Sequence, residues 1–380
     1  MNKIKLFVGV TALLFLSATA VGVSQEKHPN IIYVLADDLG YGDIAAFNEQ
    51  GKIPTPNLDR MASEGMMFTD AHTSSAVCTP TRYGILTGRY NWRSRLKSGV
   101  LTGKSKALIP ASRKTVAAVL KEKNYATAFI GKWHLGWDWA QKKQGEFGGE
   151  GWNPEDFGNI DFSKAVKNGP NDLGFEYTYG HSGSLDMAPY VYVENGMPTQ
   201  LPDRVTLNKN KYSWWREGPT ASDFIHEEVT PNFFERSFKY IREKSKEGKP
   251  FFLYLALPSP HTPILPTEEW QGKSGLNPYG DFVMMIDAYM GQLQKVISET
   301  GIEKNTLLIF TSDNGCSPEA NFEVLKQKGH LPGYKYRGHK ADIFEGGHRV
   351  PFIVKWPEVI EKGRVSDKTI CTTDLMATCA

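Results

Sequence analysis

Four short apolar runs in this chain each end abruptly in polar residues. Asn30-Ile-Ile-Tyr-Val-Leu-Ala36 stops at Asp37-Asp38, and Ala126-Thr-Ala-Phe-Ile130 runs into Gly131-Lys132-Trp133-His134. Pro250-Phe-Phe-Leu-Tyr-Leu-Ala-Leu257 runs into Pro258-Ser-Pro-His261, and Thr306-Leu-Leu-Ile-Phe-Thr311 into Ser312-Asp313-Asn314-Gly315. Runs this short, apolar throughout and rich in β-branched and aromatic residues, predict strands buried on both faces of a parallel sheet. Between them the spacing of apolar positions changes to the helical period. A helix capped by Asn57 and closed by Gly65 is predicted, with others over 114–123, 231–247 and 280–300. In the last, Phe282, Ile286, Leu293 and Ile297 form one stripe, with Met285 and Met290 beside it as core. Strands alternating with helices predict an α/β fold with a mostly parallel central sheet flanked by helices. Open sheets of this kind bind ligands outside the carboxyl ends of their strands, so the four polar exits are expected to converge.

Residues 138–230 break the pattern. The stretch is polar, glycine-bearing and irregular, yet it holds Trp139, Trp152, Tyr177, Tyr179, Tyr190, Tyr192, Trp214 and Trp215. It is expected either to pack a small core of its own or to present a carbohydrate-facing platform. At the start of the chain, Lys3 and Lys5 precede an apolar run from Leu6 to Leu16 and then Ala18-Thr19-Ala20, which predicts a cleaved signal peptide over 1–20 and a secreted or periplasmic protein. The run is shorter than the roughly 20 residues a spanning helix needs, so no membrane span is expected after cleavage. At the other end, Thr373-Asp374-Leu375 begins like a capped helix and stops without a cationic last turn or a glycine exit, as a fragment would.

Composition narrows the class without choosing within it. The 380 residues are 40% hydrophobic and carry a net charge of +2, which suits a globular domain and gives no basic excess for nucleic acid. Four cysteines, 78, 316, 371 and 379, are too few for a disulfide framework, although Cys316 has two conceivable partners.

Candidate chemistry centres on Cys78-Thr-Pro-Thr-Arg82-Tyr-Gly-Ile-Leu86-Thr87-Gly88. Pro80 suits a first helical turn and Gly88 a helix exit, so the cysteine is placed among free N–H groups that attract an anion. A lone cysteine in that position is more often an inert buried residue. At the strand exits, Asp37, Asp38, Asp313 and Asn314 offer oxygen and neither imidazole nor thiolate, a donor set for a hard cation such as Ca²⁺ or Mg²⁺ rather than zinc. Taken singly, an Asp-Asp pair also serves as a helix cap and Asp-Asn-Gly as a turn.

The signature Cys-x-Pro-x-Arg followed by Leu-Thr-Gly resembles that of the type I sulfatases of the alkaline phosphatase superfamily, with every fixed position present. The resemblance covers Asn30 to Thr373 and implies an N-terminal catalytic α/β domain over 24–380, with a C-terminal subdomain missing. It implies that a maturing enzyme oxidises Cys78 to formylglycine, whose hydrate is the nucleophile, and that Asp37, Asp38, Asp313, Asn314 and the modified Cys78 hold one Ca²⁺, or Mg²⁺, against the sulfate. A gem-diol makes chemical sense, because its second hydroxyl can expel sulfate where a simple ester would persist. The Lys132-x-His134 pair, His261 and Lys340 within Arg337-Gly-His-Lys340 stand at matching places, and Glu345-Gly-Gly-His-Arg349-Val-Pro351 matches a further pattern that orders backbone. The implied roles are deprotonation of the attacking hydroxyl by Asp313, its fixation by Arg82, sulfate clamping by Lys132, assistance to the departing alcohol by His261 and Lys340, and removal of the second hydroxyl's proton by His134. Two other readings stand beside this one: a formylglycine-dependent phosphonate or phosphate ester hydrolase, and a truncated, non-catalytic glycan-binding relic. Nothing in these residues separates an aryl sulfate from a sulfated sugar.

Overall fold

The computed structural model describes residues 28–143 and 157–380. The expected signal peptide and Trp152 lie outside the described residues.

Strands form at Asn30–Asp37, Ala126–Lys132, Phe251–Pro260 and Thr306–Ser312, each running one to three residues beyond the apolar run that announced it. The Asn30–Asp37 strand is central. Its residues pair in parallel with both neighbours, Ile32 facing Leu253 on one side and Leu308 on the other. The 126–132 strand continues the parallel order outside 251–260. All are buried along almost their whole length, the condition that continuous apolar strands satisfy.

A fifth parallel strand, Tyr177–His181, pairs with Ala126–Lys132 and comes from within the stretch expected to be irregular. Antiparallel strands extend both edges, giving a mixed sheet of ten strands among the described residues. Side chains of the central strand alternate between two cores. Ile32, Val34 and Ala36 face a layer built from helices Pro56–Ser63, Val229–Lys244 and Pro278–Glu299; Ile31, Tyr33 and Leu35 face one built from Cys78–Thr87, Val116–Glu122 and Leu375–Cys379. The stripe of Phe282, Ile286, Leu293 and Ile297, with Met285 and Met290, lies wholly in the first core.

The aromatic-rich stretch builds neither a separate core nor a bare platform. Tyr179, Tyr190 and Tyr192 pack with Phe224 and Phe233 into the first core, and Trp139 enters the second. Helix boundaries also shift where a better cap is available. Thr55, not Asn57, precedes the first helix because Pro56 takes its first position, and Asn57 instead donates its backbone and amide N–H groups to buried Asp287. Asn277 caps the Pro278–Glu299 helix by accepting from Tyr279 and Gly280.

Candidate active site

The Cys78–Thr87 helix begins at the carboxyl ends of the strands, and every one of its residues is buried. Val77 precedes it in extended backbone and supplies no side-chain cap, so the first-turn N–H groups remain available beside Cys78. Pro80 sits in that first turn, where its missing N–H leaves no acceptor unserved. The exit is equally specific. Gly88 adopts φ 59° and donates to the Gly84 carbonyl at 2.9 Å; a Cβ there would stand 2.7 Å from Met376 Cβ.

One turn into this helix, Arg82 is fully buried and ties three strand exits together. Its Nε donates to Asp313 Oδ2 at 2.9 Å, its Nη1 to the Lys132 carbonyl at 2.9 Å, and its Nη2 lies 3.6 Å from Asp37 Oδ2. Lys132 Nζ, also buried, donates to the same Asp37 oxygen and to Ser184 Oγ at 3.0 Å. A second cluster adjoins the first. Lys340 Nζ donates to Asp38 Oδ2 at 2.8 Å and Asn314 Nδ2 to Asp38 Oδ1 at 2.6 Å, while His261 Nε2 stands 3.6 Å from Asp38 Oδ2. Ser184 Oγ bridges the two clusters, lying 3.0 Å from Lys132 Nζ and 3.3 Å from the His261 ring.

Backbone at two of these positions is held in the left-handed region. Asp38 has φ 65° and His134 φ 53°, conformations that cost a non-glycine residue about 1 kcal/mol or more and persist where the surroundings enforce them. The Asp38 N–H is held by Asp313 Oδ1 at 3.3 Å. Around His134, Thr79 Oγ1 of the Cys78–Thr87 helix donates to its carbonyl at 3.0 Å, and the ring nitrogen Nε2 donates to the Leu101 carbonyl at 2.8 Å. That second bond fixes the tautomer and leaves Nδ1 as an acceptor, buried and without a partner among the described residues.

Charge is dense here and water is excluded, so burial and Coulomb forces compete. Burial would raise the Asp37 carboxyl, but Lys132, His261, Arg82 and Lys340 outweigh it and hold that group well below the usual carboxylate range. Asp313, buried beside Asp37, is pushed up to about 7 despite Arg82 and Lys132. Burial likewise carries the Cys78 thiol up to about 12, more than Lys132 and Lys340 can offset. His134 is pushed well down by burial and then by Lys132 and Arg82, and His261 down by burial and then by Lys340, so both imidazoles are neutral bases at neutral pH.

The residues present fit a hard dication. Asp37 Oδ1 and Asn314 Oδ1 are buried acceptors with no hydrogen-bond partner among the described residues, and a carboxylate pushed toward the neutral form at Asp313 marks a site short of positive charge. Donor atoms of Asp37, Asp38, Cys78 and His261 all lie within 4.8 Å of one another. The grouping shares Asp37, Asp38 and Cys78 with the expected ligand set and differs beyond them. His261 converges with the carboxylates, whereas Asp313 turns Oδ2 toward Arg82.

The ten residues expected at the site thus gather at one group of strand exits, buried except for Lys340, whose side chain is partly exposed. Sequence reasoning missed Ser184, because the strand that delivers it ends in Gly180 and His181 and carries no long apolar run to announce an exit. It missed the Leu101 carbonyl as well, for which no sequence signal exists. Cys316 is unpaired and buried, and its Sγ contacts the Ser317 carbonyl at 3.5 Å, so neither conceivable disulfide forms. Among the described residues no helix is long and apolar enough to cross a membrane.

Comparison with known proteins identifies the family. The profile of the family described as Sulfatase matches residues 29–380. An N-acetylgalactosamine-6-O-sulfatase of Bacteroides thetaiotaomicron is 33% identical over 378 residues, spanning 90% of this chain and 70% of its own. Human arylsulfatase A is 32% identical over 372 residues, spanning 96% of this chain and 66% of its own. A solved structure from work on glycosaminoglycan metabolism by Bacteroides thetaiotaomicron superposes with a TM-score of 0.78 at 31% identity, covering 92% of this chain and 76% of that one. The chain thus spans about two thirds of the length of the curated relatives it matches.

Proposed function

This chain belongs to the sulfatase family, and from that premise we propose that it hydrolyses sulfate monoesters with a nucleophile derived from Cys78. The observation that carries the reading is the placement of Cys78 at the uncapped N-terminus of a buried helix, ringed by Arg82, Lys132 and Lys340. The thiol itself is a poor candidate, since a group pushed up to about 12 is almost entirely protonated at neutral pH. Oxidised by a maturing enzyme to the aldehyde and hydrated, Cys78 would supply two hydroxyls, one to attack sulfur and one whose deprotonation expels sulfate. Ca²⁺, or Mg²⁺, held by Asp37, Asp38, Asp313, Asn314 and the modified Cys78, would supply positive charge against the sulfate oxygens.

The remaining work falls to side chains of this chain. Asp313, whose environment holds it near neutrality, is suited to accept the proton of the attacking hydroxyl, and Arg82 keeps that carboxylate in place. Lys132, paired with Asp37, is placed to clamp a sulfate oxygen. His261 and Lys340, which share Asp38, serve the departing alcohol, Lys340 as the proton donor and His261 as its orienting partner. His134 carries the unpartnered Nδ1 and takes the proton of the second hydroxyl.

We assign the substrate to the sulfated sugars, the class printed in the names of several of the relatives. The Pro202–Asn208 and Trp215–Ala221 hairpin supports this assignment. Arg216 pairs with Asp186, two residues after Ser184, and stacks over Trp214, whose Nε1 donates to Glu319, so the hairpin carries an aromatic and a cation tied to the segments that follow Ser184 and Asn314. Secretion or export to the periplasm, where sulfated glycans are met, is proposed with it.

Mass spectrometry of the Cys78 peptide from the native host is the test. A loss of sulfur consistent with aldehyde, together with release of sulfate from a defined sulfated saccharide, supports the proposal; an unmodified thiol and no turnover would leave only the glycan-binding reading.

A further inference from the structure

On the far side of the segment that leads into Cys78, two imidazoles face one another. His72 lies at the end of the short Ala71–His72 strand and His348 at the end of the Glu345–His348 helical turn, and their Nδ1 atoms stand 3.0 Å apart. The backbone locks them there. His72 bridges Arg349 in antiparallel fashion, and the Thr73 N–H donates to the His348 carbonyl at 2.8 Å.

The outer nitrogens decide what the inner ones can do. His72 Nε2 stands 3.1 Å from Asp70 Oδ1, a carboxylate that only accepts, and His348 Nε2 stands 3.1 Å from the Ile343 carbonyl, which also only accepts. Both Nε2 atoms must therefore carry the hydrogen. In two neutral rings, each Nδ1 is then a lone pair, and two lone pairs 3.0 Å apart repel unless a cation lies between them. A proton is one such cation; a metal ion is the other. A Glu345 carboxylate oxygen completes the group, with all three donor atoms within 4.8 Å of one another. The local charge suits a dication. Asp70 and Glu345 are two carboxylates, and Arg349, which pairs with both, offsets only one of them.

We propose that His72 Nδ1, His348 Nδ1 and Glu345 form a second metal site, for a borderline divalent ion of the zinc class. Two imidazoles and a carboxylate select zinc over calcium or magnesium, the reverse of the oxygen-rich catalytic cluster. Asp70 and the Ile343 carbonyl are the outer partners that a metal-binding histidine usually has, fixing tautomer and ring orientation. The ion would tie two segments that both feed the catalytic centre. Residues 73–77 lead into Cys78, and the segment from Lys340 to Glu345 also approaches it, where the Ala341 N–H already donates to the Ala76 carbonyl at 2.9 Å. The site is a clamp in this reading and touches no substrate.

The test uses the whole purified chain, Zn²⁺ for affinity and Co²⁺ as an optical probe. A variant in which the oxygen cluster is disabled, Asp37→Ala with Asp313→Ala, is expected to keep one tightly held Zn²⁺ per chain by elemental analysis and to show the visible bands of low-coordinate Co²⁺. In that background His348→Ala should lower Zn²⁺ affinity at least 100-fold. Asp70→Asn, which keeps all three ligands, should lower it about 10-fold to 100-fold, as loss of an outer partner does. Circular dichroism identifies any variant that has not folded, and Glu345→Gln then serves as the alternative ligand deletion. Absence of bound Zn²⁺ in the folded Asp37→Ala, Asp313→Ala background would overturn the proposal and assign the histidine pair a shared proton only. Unchanged affinity in both His348→Ala and Glu345→Gln would overturn it too.

Discussion

Lys132 and Lys340 put the proposed division of labour to the test with one side-chain type in two settings. Each is held by a carboxylate, the buried Lys132 by Asp37 and the partly exposed Lys340 by Asp38, yet only Lys340 stands beside an imidazole that shares its carboxylate. If Lys340 protonates the departing oxygen, Lys340→Ala should slow a sugar sulfate about 10²–10⁴-fold while barely affecting an activated nitrophenyl sulfate, whose leaving group needs no proton. Lys132→Ala should slow both alike, since clamping sulfate is common to them. Equal losses across leaving groups for Lys340→Ala would assign that residue to the sulfate instead. Cys78→Ala should reduce turnover of every substrate to background with circular dichroism unchanged, because the side chain is small and only the nucleophile is lost. The gathering of Cys78, Arg82 and the Asp37, Asp38 and Asp313 carboxylates was legible in the sequence because each sits at a fixed offset from a strand or helix end. Ser184 was not, and neither was the role of His261 beside the carboxylates. Those depend on which loop lies over which, and no local spacing encodes that.

Elements were legible where burial alone determines them, and misread where a polar group or a proline competes. The four apolar runs became the central strands because nothing but a doubly buried strand satisfies them. The Tyr177–His181 strand escaped notice because only Tyr177 and Tyr179 carry apolar bulk, and Gly180 must be small where it crosses the neighbouring strand. A Cβ at Gly180 would lie 2.0 Å from the Gly131 carbonyl oxygen. Its partner Gly131 has φ 130° and lies 1.9 Å, by the same measure, from the Ala256 carbonyl oxygen. These two glycines let three strands close up just below Lys132. Gly131→Ala should therefore destabilise the fold by several kcal/mol, adding positive-φ strain to a backbone collision, and it should lower the denaturant midpoint well beyond any surface substitution. Thr115→Ala offers a milder comparison. Thr115 Oγ1 accepts from Ala118 and caps the Val116–Glu122 helix, so its loss should cost about 1 kcal/mol. A midpoint for Gly131→Ala no lower than that of Thr115→Ala would show that the sheet relaxes around the added methyl.

At the scale of the whole molecule, the same burial that tunes the site makes the fold sensitive to acid. His226 illustrates this away from the catalytic groups. It is packed between Trp215, whose ring stacks at 3.9 Å, and Tyr190 and Phe224, and burial followed by the charge of Arg204 pushes its imidazole down to about 3. An unfolded histidine titrates near 6.5. Between those two values the unfolded chain binds a proton that the folded chain refuses, so stability is complete above about 6.5 and falls as the pH drops toward 3. Each such group removes up to about 1.4 kcal/mol per pH unit across that window. Carboxylates such as Asp37, held low by Lys132 and its neighbours, act in the same direction only at lower pH, near and below the unfolded carboxylate value. Between 6.5 and 5 the depressed carboxylates are silent, whereas Asp313, raised to about 7, gains stability as the pH falls and opposes the histidines, so the His226 contribution is read as the difference between parent and variant. Replacing His226 with Phe keeps the aromatic packing and removes the proton, so the variant should lose less stability than the parent when urea midpoints are compared at pH 6.5 and pH 5. A parallel decline in both proteins would mean that His226 is hydrated enough to protonate in place, and that the hairpin carrying Trp215 opens to admit water long before the sheet beneath it unfolds.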